Sequence, residues 1–278
     1  MPELPEAETI ARGLQAFLPG RRIRRVRVVR TDLLEGPEPS FRTGLAGRSW
    51  GEVGRRGKNV ILGLADRQRL VVNLGMTGRL LPSSTGSPPP ESRHPGVVFI
   101  HDDDSTLTFD DVRRFGRLTL LGPEGWPAWS RRLGPEPLSS AFTARRLAAI
   151  LGSSRSPVRS LLLDQRKVAG VGNIYAVEAL WAARIHPTTP SNEVASEGAT
   201  RLHRALRRIL RNAIAARGTT LRDYRTAGGD EGGFGPALMA YGREGEECRR
   251  CKTSLERVVL SGRSAFYCPR CQPVARAQ

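Results

Sequence analysis

The chain's four cysteines all lie between Cys248 and Cys271, in the arrangement C-x2-C-x16-C-x2-C. No other feature limits the possible fold so strongly. Each C-x2-C pair offers two thiolates from one tight turn, and two pairs at this separation match the tetrahedral ligand set of Zn2+. Cys248, Cys251, Cys268 and Cys271 are therefore the expected ligands. Disulfides are disfavoured in a reducing compartment, which leaves four unrelated thiols as the plain alternative. No histidine stands near the cluster, so the site is expected to be closed: one structural zinc ion rather than a catalytic one. Between the pairs, LERVVL and SAFYC flank Ser261-Gly262-Arg263, which predicts a β-hairpin with a basic tip. Such ribbons bind nucleic acid or protein.

Ahead of this module the pattern is of two kinds. Residues Pro5 to Leu18 predict a helix: Pro5 suits a first turn, Glu6 and Glu8 sit where the helix dipole favours acids, and Ile10, Leu14, Phe17 and Leu18 share one face. Gly20 stops it. From Arg22 to about Leu121 come short β-rich runs, RIRRVRVV, NVILGL, RLVVNL, GVVFI, STLTF and RLTLL, spaced as in an antiparallel sandwich or barrel. Residues 82–93 read as a polar, Pro-rich loop. Around Leu133 to Leu138 lies a linker, and beyond it helices are expected over Ala141 to Leu151, Pro157 to about Lys167, Asn173 to Ala183 and Glu193 to Ala216. In the last, Leu202, Leu206, Ile209, Leu210 and Ala213 form an apolar stripe opposite Arg201, Arg204, Arg207, Arg208 and Arg211. A solvated helix face explains those arginines as well as DNA contact does.

Charge narrows the partner. Lys and Arg number 44 against 27 Asp and Glu, a formal net charge of +17. That excess points to a polyanion, with nucleic acid first and a ribosomal or heparin-type surface second. Only Lys58, Lys167 and Lys252 are lysines; a GC-rich genome accounts for such an arginine bias without invoking function. No run approaches the roughly 18 apolar residues of a membrane span, and MPELPEAET has no signal-peptide character. A cytoplasmic, nucleoid-associated protein with no membrane partner is expected.

The opening residues carry the sharpest chemistry. Methionine before proline is normally removed, which leaves Pro2 with a free secondary amine. A terminal amine titrates at about 7.7–8.0 against about 10.4 for lysine, so far more of it is neutral and nucleophilic near neutral pH. The positive end of the following helix lowers that value further if it faces the amine. Attack of a secondary amine on a sugar C1′ gives a permanently cationic iminium, the electron sink that β-elimination needs. Glu3 and Glu6 are carboxylates placed to move protons; alone, they are equally well read as dipole partners of the helix.

Taken in order, MPELPEAET, GRRGKNVIL, NLGMTGRL, RRFGRL, LLLDQRKVAGVGNIYAVEALWAARIHP, TTLRDY, YGREGE and the GRSAFYCPRC ribbon resemble the bacterial formamidopyrimidine-DNA glycosylase family, relatives of endonuclease VIII. The likeness spans nearly the whole chain. It implies an α+β fold: an N-terminal antiparallel β-sandwich with a catalytic helix (2–132), a linker (133–145), a helix-two-turns-helix domain with a lesion-recognition loop (146–238) and a β-hairpin zinc finger (239–274). It implies a monomeric, bifunctional glycosylase and AP lyase of base excision repair. Such an enzyme removes 8-oxoguanine and formamidopyrimidines from damaged double-stranded DNA, then nicks the strand by β,δ-elimination. An endonuclease VIII-type enzyme for oxidised pyrimidines and a non-catalytic DNA-binding relative are the alternatives.

Carried over by position, the resemblance makes Pro2 the Schiff-base nucleophile, Glu3 the acid/base catalyst, Glu6 its auxiliary and Lys58 a catalytic lysine contacting phosphate beside the lesion. A base must leave the stack before its C1′ can be attacked, and the hole must then be filled. Met76, Arg113 and Phe115 match the residues that do this; without the resemblance, Met76 and Phe115 read as core. His94, Arg159 and Asn173 match DNA contacts. Asn173 and Arg263 match the clamp on phosphates flanking the lesion, Arg263 being grouped with the catalytic residues. In GVGNIY, Gly170 and Gly172 permit a tight turn and Asn173 is expected as a helix N-cap beside a phosphate site. The lesion-recognition loop falls at 219–236. Val112 replaces a usual proline, which is expected to loosen its turn, and Arg159 replaces a usual lysine.

Overall fold

The computed structural model describes residues 2–220 and 224–274. Its first helix, α1 (Leu4–Gln15), starts one residue before Pro5, with Glu3 as an extended N-cap, and turns Leu4, Ala7, Ile10, Ala11 and Leu14 inward. It stops short of the expected Leu18. The amides of Phe17 and Leu18 both return to Leu14 O, and Gly20, at φ +85°, redirects the chain into the sandwich.

Eight strands follow: β1 (Ile23–Val28), β2 (Trp50–Arg56), β3 (Asn59–Leu64), β4 (Arg69–Asn73), β5 (Arg79–Ser83), β6 (Pro95–His101), β7 (Thr106–Asp110) and β8 (Arg117–Leu121). A short helix, α2 (Glu38–Thr43), intervenes after β1, and α3 (Gly125–Arg131) follows β8. They form two antiparallel sheets, ordered β1-β6-β7-β5 and β2-β3-β4-β8. Val26, Val97, Phe99, Leu107 and Phe109 of one sheet share a core with Val60, Leu62, Leu70, Val72 and Leu118 of the other, closed by the apolar face of α1. Each such side chain contributes roughly 1.5–3 kcal/mol by leaving water. Inside this core the Trp50 indole donates to His101 Nε2 (2.9 Å), so the neutral imidazole carries its proton on Nδ1, facing Ser105 Oγ at 2.8 Å. Ser105 Oγ in turn donates to Asp103.

Strand register fixes which loops meet. Arg56 pairs with Asn59, Asn59 with Asn73, and Asn73 with Arg117. In the other sheet Arg79 and Pro95 both pair with Asp110. The chain crosses from sheet to sheet between Asn73 and Arg79 and again between Asp110 and Arg117. The turn at 57–58, the loops 74–78 and 111–116, and the approach to β6 therefore share one end of the sandwich.

This first compact unit also includes Ala216–Gly233, a segment expected within the helical domain. Its Thr219 amide donates to Glu6 Oε1 (2.8 Å). Residues 221–223 lie outside the described residues, so the expected 219–236 loop is described only in part.

The second unit runs from Leu133 to Ala215 and resumes at Phe234. The stretch read as a linker is bonded into it: Gly134 N donates to Gln165 O, and Ala169 N to Pro135 O. Helices α4 (Ala144–Gly152), α5 (Val158–Leu163), α6 (Asn173–Ala183) and α7 (Ser196–Ala215) follow. Thr143 caps α4 through its side chain. The second expected helix, to Lys167, ends at Leu163, because Asp164 adopts extended backbone and starts a turn, with the amides of Lys167 and Val168 on Asp164 O, followed by a bend at 168–170. Helix α6 is buried nearly all round, whereas α7 buries its apolar stripe and leaves Arg201, Arg204, Arg208 and Arg211 exposed. The unit ends in the hairpin β9 (Glu256–Leu260) and β10 (Arg263–Tyr267), whose turn residues Ser261 and Gly262 both have positive φ, as a tight two-residue hairpin requires. Among the described residues, no helix is long and apolar enough to cross a membrane.

Candidate active site and nucleic-acid interface

In the first unit Pro2, Glu3 and Glu6 are all buried at the start of α1, the two glutamates each 2% exposed. Pro2 immediately precedes the N-cap, so the positive end of the helix lies at its backbone. The Glu3 amide donates to Glu6 Oε2 (2.8 Å) while Glu6 Oε1 takes the Thr219 amide, so one carboxylate binds the helix start to the 216–233 segment. Burial and the Glu6 charge push the Tyr224 phenol well above its ordinary pKa.

Lys58 is half-buried in the turn between β2 and β3. Arg55 ties that turn to α1: its Nε donates to Glu8 Oε2 (3.0 Å) and its Nη1 to Gly57 O (2.9 Å). Burial raises the Glu8 pKa, but hydrogen bonds from Arg12 and Arg55 and their charges outweigh it and the net shift is downward. In the sequence Glu8 reads only as a dipole partner of the helix and Arg55 as an ordinary surface charge; the packing of α1 on β2 brings the two face to face.

Met76 and Phe115 are not core. They are 40% and 53% exposed at the shared end of the sandwich, large apolar side chains held in water. Arg113 lies over the Phe115 ring, 4.7 Å from its centroid, and no carboxylate among the described residues pairs with its guanidinium. His94 is exposed at the same end, its amide donating to Asp110 Oδ2 (2.7 Å). Thr77, His94, Val112 and Arg225 help line a cavity of about 340 Å3 there, with Arg79 and Arg93 on its wall.

In the second unit Arg159 is 1% exposed. Its Nε and Nη2 donate to Asn173 Oδ1 at 3.1 and 2.6 Å, and its Nη1 to Leu260 O at 2.9 Å. Asn173 Nδ2 donates to Ser264 O (2.9 Å). These bonds bring Arg159, Asn173 and the hairpin carrying Arg263 together. Arg159's pKa is lowered, first by burial and then by the charge of Arg263. These two neighbouring guanidinium groups have no carboxylate partner among the described residues and leave a local excess of positive charge. Asn173 is not the N-cap of α6: Gly172 is, in extended backbone, and Asn173 stands in the first turn with its side chain committed to Arg159 and Ser264. Gly170, at φ +83°, permits the preceding turn, which Gln165 holds by accepting from its amide.

Glu178, one carboxylate in an apolar helix, accepts the amides of Met239, Ala240 and Tyr241 at 2.8–2.9 Å. It anchors α6 to the start of the cysteine module. Burial pushes its pKa up, against those three donors. A lone acid in AVEALW was the available signal.

The sulfurs of Cys248, Cys251, Cys268 and Cys271 lie within 4.8 Å of one another, close enough to share one ion. The Trp181 indole N–H, buried without a hydrogen-bond partner, packs in the cluster that holds Cys248 and Cys268 and suits a thiolate neighbour. Gln272 accepts from the Cys268 amide and donates to Ile185 O, seating the second knuckle against the end of α6. The donor set fits Zn2+ and leaves no position open for water.

Three family models match in chain order. They are the formamidopyrimidine-DNA glycosylase N-terminal domain over residues 1–118, the H2TH domain of the same enzymes over 133–225, and a zinc finger found in FPG and IleRS over 245–274. The formamidopyrimidine-DNA glycosylase of Chloroflexus aurantiacus is 42% identical over 273 residues, covering 98% of each chain. That of Paracoccus denitrificans is 44% identical over 280 residues, covering 98% of this chain and all of its own. Among solved structures, the MutM (Fpg) protein of Thermus thermophilus superposes with a TM-score of 0.87 at 40% identity, covering 99% of this chain and 100% of its own. A Lactococcus lactis FPG mutant in complex with Fapy-dG-containing DNA gives a TM-score of 0.91 at 30% identity, covering 98% of this chain and 100% of its own.

Proposed function

Because this chain belongs to the formamidopyrimidine-DNA glycosylase family, we propose that Pro2, once Met1 is removed, is the nucleophile with which it excises damaged bases. The enzyme is a bifunctional DNA glycosylase and AP lyase acting on oxidised purines. The observation that carries the residue assignment is the burial of Pro2 with Glu3 and Glu6 at the positive end of α1.

The neutral Pro2 amine attacks C1′ of the damaged nucleotide, and the base departs with the electrons of the glycosidic bond and the proton that the amine gives up. Glu3 donates a proton to the sugar O4′ as the ring opens, leaving a cationic iminium between Pro2 and C1′. Loss of the C2′ proton expels the 3′ phosphate, a second elimination expels the 5′ phosphate, and water then releases Pro2. Glu6 holds the helix start and the 216–233 segment in place for these steps. Lys58, carried on a turn braced against α1 by Arg55, neutralises the phosphate beside the lesion.

Met76, Arg113 and Phe115 fill the space left by the extruded nucleotide: two apolar side chains replace its stacking, and Arg113 donates to the orphaned cytosine. His94, exposed at the same end of the sandwich, contacts the DNA there. Arg159, Asn173 and Arg263 bind phosphate, with Arg159 and Asn173 fixing each other's orientation. Cys248, Cys251, Cys268 and Cys271 would hold a zinc ion, which would fix the hairpin that carries Arg263. The protein acts as a monomer in the cytoplasm, at the nucleoid.

The test is a duplex with 8-oxoguanine opposite cytosine set against one carrying an oxidised pyrimidine. Faster release of the purine, with phosphates left on both sides of the gap, is expected. A preference for the pyrimidine, or no cleavage of either, would overturn the assignment.

A further inference from the structure

Asp111 is 2% exposed, and no step above uses it. Its Oδ1 accepts the Thr77 hydroxyl (2.5 Å) and the Arg113 amide (3.3 Å), and its Oδ2 accepts the Gly116 amide (2.8 Å). The Arg113 amide also reaches Thr77 Oγ1 at 3.2 Å. One buried carboxylate thus joins the loop that carries Met76 to the loop that carries Arg113 and Phe115. The loops are also in direct contact. A Cβ on Gly75, which sits at φ +57°, would come within 2.6 Å of the Phe115 carbonyl carbon and the Gly116 nitrogen. Gly75's own amide is held by Asn73 Oδ1, and Asn73 Nδ2 donates to Asn59 beside the Lys58 turn.

We propose that Asp111 is a positioning residue that locks Met76, Arg113 and Phe115 into one unit, and that it thereby sets the enzyme's discrimination between bases opposite the lesion. The proposal rests on the reading of those three side chains as the duplex probe. Three exposed side chains on two separate loops would otherwise be free to move independently. Reading a base edge requires the Arg113 guanidinium to hold a fixed distance from it, since hydrogen bonds weaken steeply with misalignment. The guanidinium rides on Phe115, and the Arg113 and Gly116 amides on either side of that ring both end on Asp111.

Asp111→Asn keeps the volume but turns an N–H2 toward one of the donors, releasing one loop. Thr77→Val removes the hydroxyl that bridges Asp111 and Arg113, and Thr77→Ser retains it. Three rates are measured for each: excision of 8-oxoguanine opposite cytosine, excision opposite adenine, and cleavage of a single strand carrying an abasic site, where no hole needs filling. For D111N and T77V the cytosine-to-adenine ratio should fall roughly tenfold or more, as expected when a well-placed base contact is lost. Single-strand cleavage should stay near wild type, and T77S should keep the wild-type ratio. An unchanged ratio in D111N and T77V would overturn the role of Asp111, as would equal losses on all three substrates, which mark general damage to the fold. Failure of the wild-type enzyme to discriminate at all would instead overturn the reading of the probe itself.

Discussion

Glu6 should be worth more to the architecture of the site than to its chemistry. Its carboxylate is 2% exposed and spends each oxygen on a backbone amide, Glu3 on one side and Thr219 on the other, both at 2.8 Å. A hydrogen bond to a charged group contributes about 1.5–3 kcal/mol, so Glu6→Ala removes about 3–6 kcal/mol from the first unit. At roughly 2 °C or more per kcal/mol, the lower bound lowers its melting temperature by about 6 °C. Glu6→Gln keeps one acceptor and should lose about half as much. The Thr219 bond alone predicts that amide exchange at Thr219 quickens roughly 10- to 100-fold in the alanine variant. Exchange read at Thr219 and melting followed by calorimetry separate this from a purely catalytic role. Wild-type protection at Thr219 in Glu6→Ala, with unchanged melting, would refute the argument that this carboxylate ties α1 to the 216–233 segment.

Removing zinc with a chelator should abolish duplex binding along with the metal, measured as one zinc per chain by elemental analysis; metal-free protein of full affinity would contradict the structural role of Cys248, Cys251, Cys268 and Cys271. Burial holds the His101 pKa down to about 4, from an ordinary value of 6.5. Between those values the unfolded chain takes up a proton that the folded chain refuses, so stability falls as pH drops from 6.5 toward 4. Melting temperature against pH should show that decline, and His101→Gln should flatten it. Arg263→Ala should make the salt dependence of duplex affinity shallower by about one in a log–log plot, whereas an unchanged slope would remove Arg263 from the phosphate contacts.

Much of this was legible because strong local patterns survived folding. Helix α6 falls on Asn173–Ala183 as read, since a glycine turn opens it and an apolar run fills it. Strands β2 and β5 were not legible: WGEVGRR carries two glycines and weak alternation, and β5 ends in the Pro82-Ser83 of an apparent loop. Both are strands because a sheet neighbour supplies the pairing. The helix predicted to Lys167 fails at Asp164, where turn hydrogen bonds outcompete propensity. Met76 and Phe115 illustrate the opposite case: composition places them in the core, and only the resemblance predicted otherwise. The partners of the braces were not legible. Asp111, Arg55 and Glu178 act across 34, 47 and 61 to 63 residues of chain, and nothing local in the sequence marks which polar partner each will meet.

Covalent chemistry at Pro2 is read by borohydride trapping. Enzyme whose mature N-terminus is verified by mass spectrometry to be Pro2 is mixed with duplex carrying 8-oxoguanine opposite cytosine and reduced. A stable protein–DNA adduct that maps to Pro2 and is absent from Pro2→Gly is expected. An adduct on any other residue, an undiminished one in Pro2→Gly, or none at all would contradict it.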